Sequence, residues 1–112
     1  MKKYLVLNAD DFGMCKSANE AVFELFKSGD LLSATIMMPC PAAEEAVQFS
    51  IDNPQYAIGI HTTLTSEWKK YRWKPLTDGK SLLDPEGYMW PESDEVEKHT
   101  KYKEVEAEVR AQ

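Results

Sequence analysis

The chain has 112 residues, 43% hydrophobic and 29% charged, which is the composition of a soluble globular domain. With 13 Lys and Arg against 19 Asp and Glu, its formal charge of −6 disfavours nucleic acid and anionic membranes as partners. The apolar run after the N-terminus is too short for a signal peptide, and the two cysteines lack a paired spacing, so we expect free thiols in the cytoplasm.

The first predicted unit is a buried strand followed by a helix. Residues 4–7 form a continuous apolar run, which is the pattern of a strand buried on both faces. Ser17 and Glu20 have the spacing of a capping box, which predicts a helix that starts at Ser17. Gly29 supplies the left-handed residue that ends this helix. The predicted apolar face of the helix carries Ala18, Ala21, Val22, Leu25 and Phe26.

The same order repeats in the next segment. Residues 33–38 are predicted as a second strand, residues 42–50 as a helix with a face of small residues that ends before Pro54, and residues 56–60 as a third strand. Strands that alternate with helices require crossover connections, which place the strands parallel to one another. We therefore expect an α/β fold with a parallel sheet.

The second half of the chain has a different pattern. Residues 62–93 lose all periodicity and are rich in turn residues and aromatics, which predicts a long, ordered, functional loop. Its tryptophans offer flat faces that suit sugar rings, although packing of the loop onto the body explains them equally well. These candidates are Trp68, Trp73 and Trp90. Residues 95–111 are predicted as one surface helix with Tyr102, Val105 and Val109 on its apolar face, and His99 as a solvated residue.

Two adjacent carboxylates, Asp10 and Asp11, follow the first predicted strand. The carboxyl edge of a parallel sheet is where α/β folds place their ligands. Adjacent carboxylates repel each other, so the pair makes sense if one binds a cation and the other handles a proton. A plain turn closed by Gly13 is an equally good interpretation of these residues.

His61 follows the third predicted strand and should emerge at the same edge as the aspartates. A lone histidine is more often a packed or surface residue than a ligand, but two polar strand ends facing one cleft strengthen the metal interpretation. Asp and His together suit a divalent ion, and a catalytic site normally needs a third protein ligand that this chain lacks. Cys15, near the aspartates, is predicted to be a buried thiol and not a ligand.

Several segments of the chain resemble those of the YdjC-like carbohydrate deacetylases, a family that includes the chitooligosaccharide deacetylases. The matching segments are N-A-D-D-F-G, S-A-T-I-M-M-P, G-I-H-T-T-L-T and L-L-D-P-E-G-Y-M-W-P, in that order over nearly the whole chain. The resemblance implies the N-terminal part of a variant (β/α) barrel, with residues 1–112 as an incomplete portion of a single domain. It also implies removal of the acetyl group from N-acetylglucosamine units of short oligosaccharides, an activity of chitin degradation.

The resemblance further implies a role for each site residue. Asp10 matches the general base, and Asp11 and His61 match two ligands of a divalent ion, Mg or Zn. The remaining histidine ligand of the family lies in a D-S-H-type motif that we expect beyond Gln112. We therefore expect the 112 residues alone to be inactive, and to aggregate, unfold in part or pair with another chain, for instance as a homodimer.

Two other classes of protein share some of these features. A phosphoacceptor receiver domain has paired acidic residues after its first strand and binds Mg²⁺, but it needs an Asp after its third strand, where His61 stands, and a Lys after a fifth strand. A non-catalytic sugar-binding relic is the second alternative, and the intact Asp10, Asp11 and His61 argue against it.

Overall fold

A computed structural model describes residues 1–112, which divide into two compact units, residues 1–61 and residues 62–112. The first unit contains strand β1 (Asn8–Phe12), helix α1 (Lys16–Ser28), strand β2 (Ser33–Ile36), helix α2 (Ala43–Asp52) and strand β3 (Ala57–Ile60). The three strands are parallel and lie in the order β1-β2-β3. The predicted α/β fold with alternating strands and helices is confirmed, and the three parallel strands form an open sheet, as expected of part of a larger domain.

The core of the first unit lies between the sheet and its two helices. Alternate residues of a strand point to opposite faces, so Ala34 and Ile36 of β2 are buried under the helices while Ser33 and Thr35 face the other side. Aromatic rings fill most of the space: Phe12 meets Phe49 edge-on at 6.1 Å between centroids. The other buried core residues are Val22, Phe26, Leu31, Ala43 and Ala46.

The prediction of a buried first strand at residues 4–7 is wrong. The strand begins at Asn8, and the side chains of the apolar run are exposed, from 87% at Tyr4 to 49% at Leu7. An apolar run is buried only where another layer covers it. Here β1 is an edge strand, and it is Phe12, at the other end of β1, that reaches the core under the helices.

The predicted capping box at Ser17 is also wrong, although Gly29 ends α1 in the left-handed conformation as expected, with φ of 82°. Helix α1 begins at Lys16, and no side chain caps it. The buried face is rotated from the predicted one, so that Leu25 is 42% exposed and Asn19 is fully buried. The buried side chain of Asn19 is fully hydrogen-bonded. It accepts from Gly13 N (2.8 Å) and donates to the Ala42 carbonyl (3.0 Å) and the Glu45 carboxylate (2.7 Å).

The second unit is mostly irregular, as expected of the long loop. It contains a 3₁₀ turn (Lys80–Leu82), helix α3 (Ser93–His99) and helix α4 (Tyr102–Ala111). A single antiparallel bridge joins Leu83 to Met89, and the buried apolar side chains are Trp73, Leu82 and Met89.

The prediction of one helix over residues 95–111 is wrong, because Thr100 interrupts it. The Thr100 hydroxyl donates to the Val96 carbonyl (2.6 Å), and a side chain that bonds to the helix backbone in this way competes with continuation of the helix. The predicted apolar face is wrong as well, since Tyr102 is 79% exposed and Glu108 is the buried residue of α4. Glu108 is buried because it accepts hydrogen bonds from Leu76 and Thr77.

Candidate active site

The two aspartates lie in a bulge of β1. Pairing with β2 is regular up to Ala9 opposite Ala34 and resumes at Phe12 opposite Ile36, so β1 has one residue more than its partner. Asp11 has φ of 60° and is the one residue other than glycine with positive φ. Aspartate tolerates this conformation better than most residues. Bulges often redirect side chains next to active sites, and this one changes the direction that Asp11 would have in a regular strand.

The structure brings Asp11 and His61 together. Asp11 Oδ1 lies 3.7 Å from His61 Nδ1, and the side chains are 53% and 34% exposed. The backbone N–H of His61 donates to the Ile36 carbonyl (2.8 Å), which fixes His61 at the end of β3. The side chains of β1 and of the residue after β3 therefore meet across β2, at the edge where the sequence predicts them.

Asp10 has different partners from Asp11. Its Oδ1 accepts hydrogen bonds from the Asn8 amide (2.7 Å) and from the Thr35 hydroxyl (3.0 Å). Sequence reasoning missed Asn8, Thr35 and Ser33, which bonds to Asn8. The signal that could have revealed them is the two-residue spacing of Asn8 with Asp10 and of Ser33 with Thr35, which places all four side chains on one face of a paired sheet.

Gly13 completes the turn after the aspartates, and a side chain there would be both strained and crowded. Its φ is 88°, and a Cβ at this position would lie 3.0 Å from Ala43 Cα in helix α2. The Gly13 amide donates to the buried Asn19, and the Met14 amide donates to the Asp11 carbonyl (3.1 Å). Asn19 and helix α2 therefore fix the turn that follows the bulge.

The donor set at Asp11 and His61 fits part of a metal site. A carboxylate oxygen and an imidazole nitrogen are ligands that a borderline divalent ion accepts. No group of three or more His, Cys, Asp or Glu side chains in the chain is arranged to hold a metal ion. The chain thus offers two candidate ligands, and the metal roles of Asp11 and His61 stay predictions.

The three candidate tryptophans occupy different environments in the second unit. Trp68 is 54% exposed and lines a cavity of about 440 Å³. Trp73 is 3% exposed and donates its indole N–H to the Thr65 carbonyl (2.8 Å), so its position favours the packing role. Trp90 is partly buried and donates to the Ser81 carbonyl (2.9 Å). Of the three, Trp68 presents the most ring surface to a ligand.

His99 and Cys15 have neighbours that the sequence did not predict. His99 is exposed, as expected, but it also stacks on Trp90 with 4.2 Å between ring centroids and lies 3.2 Å from a Glu95 oxygen. The prediction of a buried Cys15 thiol is wrong: the residue is partly exposed, and its Sγ lies 3.3 Å from the Ser17 hydroxyl. That hydrogen bond lowers the pKa of the Cys15 thiol below its ordinary value.

Comparison with known proteins defines the class to which this arrangement belongs. Residues 4–112 match the family model described as YdjC-like protein, and the chain belongs to that family. A carbohydrate deacetylase of Geobacillus stearothermophilus is 37% identical over all 112 residues, and a chitooligosaccharide deacetylase of Yersinia enterocolitica is 39% identical over 89 residues, or 80% of this chain. The receiver-domain alternative loses its support.

The chain spans 43% of the Geobacillus protein and 33% of the Yersinia protein. The fold matches a crystal structure from Enterococcus faecalis V583, provisionally described as a cellobiose-phosphate cleavage protein, with a TM-score of 0.78 and 33% identity. That match covers 96% of this chain and 41% of the other. In the present chain, no helix has the length and apolar character that a membrane crossing requires.

Proposed function

We propose that the protein carrying this chain is a carbohydrate deacetylase that hydrolyses the N-acetyl group of N-acetylglucosamine-containing oligosaccharides and depends on a divalent ion. The approach of Asp11 to His61 at 3.7 Å, with Asp10 adjacent in the same bulge, is the observation that carries the proposal. The names of the Geobacillus and Yersinia relatives support the reaction and the class of substrate. The soluble oligosaccharide is the only partner that we propose.

Asp10, Asp11 and His61 have different roles in amide hydrolysis. Asp11 and His61 would hold the ion, Mg or Zn, together with a further ligand. A divalent ion bound there supplies Lewis-acid chemistry, which polarises the acetyl carbonyl and makes water easier to deprotonate. Asp10, whose carboxylate is held by Asn8 and Thr35, takes the proton from the attacking water as a general base.

The proposal is tested by acetate release from diacetylchitobiose, with metal analysis of each variant of the full-length protein. Asp11→Asn and His61→Ala are expected to lose bound metal and activity together, because each removes one of the donor atoms. Treatment with a chelator should abolish wild-type activity, and Mg or Zn should restore it. Wild-type activity that survives the chelator would contradict the metal mechanism. If the untreated protein releases no acetate, the non-catalytic sugar-binding relic is favoured instead.

Trp68 is the aromatic residue that we propose to contact the sugar. Its cavity is also lined by charged side chains that can bond to hydroxyl groups, namely Glu67, Lys69, Arg72 and Glu92. Trp68→Ala should raise KM for diacetylchitobiose about tenfold and leave kcat nearly unchanged, because stacking on a sugar ring contributes uniform binding. Tyr102→Ala, which removes an even more exposed ring from α4, is the control. An unchanged KM in the Trp68 variant would remove this residue from the binding site.

A further inference from the structure

A row of polar side chains crosses the face of the sheet that is opposite the helices. It consists of Asn8 and Asp10 on β1 and Ser33 and Thr35 on β2, all of them open to solvent at least in part. Helices α1 and α2 cover the other face of the sheet, so this row is not part of the apolar core. Three hydrogen bonds join the four residues into one network.

The network has a direction, which follows from the chemistry of the Asn8 amide. An ionised carboxylate only accepts, so the side of the amide that faces Asp10 Oδ1 at 2.7 Å is Nδ2, which donates to it. The other side, Oδ1, then accepts a hydrogen bond from the Ser33 hydroxyl at 2.6 Å. Ser33 therefore orients Asn8, and Asn8 in turn orients Asp10.

Both donors to Asp10 converge on the same oxygen. The Thr35 hydroxyl donates to Oδ1 at 3.0 Å, as Asn8 does, and Oδ2 accepts no hydrogen bond from the protein. Two donors on one oxygen fix the rotation of a carboxylate and leave the second oxygen to take a proton. Gly59 lies opposite Thr35 on β3 and carries no side chain, which keeps the space beside this row open.

We propose that Asn8 and Thr35 are positioning residues, which hold Asp10 so that Oδ2 faces the attacking water, and that Ser33 supports them through Asn8. The inference rests on the proposed function, because it assumes that Asp10 is the general base. The hydrogen bonds of the network end on the Asp10 carboxylate, so the network orients the proposed general base.

The test compares Thr35→Val with Thr35→Ser in the full-length protein. Valine keeps the shape of threonine and its preference for strands but removes the donor, so kcat should fall about tenfold to a hundredfold with little change in KM, melting temperature or metal content. Serine keeps the hydroxyl and should restore kcat to within about threefold of the wild type. This rescue separates a positioning role from a purely structural one.

Asn8→Ala provides the second variant, which removes the other donor to the same oxygen. The double variant with Thr35→Val should lose less than the product of the two single losses, because both act through the orientation of one carboxylate. A wild-type kcat in Thr35→Val, or a loss of kcat together with bound metal, would overturn the positioning role while the deacetylase proposal stands. If the wild type releases no acetate, the proposed function is wrong, and the positioning role that rests on it is wrong as well.

Discussion

Replacing Asp10 by asparagine is expected to lower acetate release from diacetylchitobiose at least a hundredfold, roughly the contribution of a general base. Asparagine keeps the size of the side chain and can still accept the hydrogen bonds from Asn8 and Thr35, but it cannot take a proton from water. Bound metal should stay at the wild-type level, since Asp10 is not one of the proposed ligands. Activity and metal content are measured on the same preparation.

Glu20→Gln is the matched control, because it makes the same chemical change at an exposed position of α1. It should retain full activity. Wild-type turnover in Asp10→Asn would show that another group is the base. Loss of the metal in Asp10→Asn would instead assign Asp10 to the ligand set, and the roles of Asp10 and Asp11 would have to be exchanged.

Glu108→Ala is expected to destabilise the second unit by about 3 kcal/mol, because each buried donor left unpaired costs about 1 to 3 kcal/mol. The carboxylate has no exposed surface and accepts from Leu76 N and Thr77 N, both at 2.9 Å, and from the Thr77 hydroxyl at 2.7 Å. Denaturant unfolding followed by far-ultraviolet circular dichroism measures the loss. Glu106→Ala removes only an exposed ion pair with Arg110 and should cost less than about 1 kcal/mol.

The same carboxylate predicts a dependence on pH. Burial pushes the pKa of Glu108 upward, but the hydrogen bonds from Gln112, Leu76 and Thr77 outweigh it and hold the pKa below its ordinary value. A lowered pKa in the folded state means that the contribution of Glu108 to stability is complete above the ordinary carboxyl pKa and is lost as the pH falls through the lowered one. The difference in stability between the wild type and Glu108→Ala should therefore shrink in acid. A difference that stays constant down to the lowest pH at which both variants fold would contradict this account.

The order of strands and helices in residues 8–60 could be predicted from sequence because each element has a local sequence pattern of its own. A glycine after a helical pattern, such as Gly29, marks the end of the helix. The alternation of short apolar strands with helices leaves few topologies other than a parallel sheet. His61 could be placed at the carboxyl edge for the same reason. These predictions needed no knowledge of which residues meet in space.

The bulge at Asp10 and Asp11 could not be predicted in this way. It exists only because β1 pairs with β2 in two registers, and the register is a property of both strands together. Glu108 illustrates the same limit, since its partners lie 31 and 32 residues earlier in the chain. A charged residue in a helical pattern is assigned to the surface by default, and only its distant partners justify its burial.

The distribution of tryptophan gives the two units separate optical signals. Trp68, Trp73 and Trp90 all lie in residues 62–112, and the aromatic core of residues 1–61 is built from phenylalanine and tyrosine. Within residues 1–112, emission excited at the red edge of the tryptophan band therefore comes from the second unit. Amide hydrogen exchange along β2 reports the first unit, so the cooperativity between these two units can be followed without an added label.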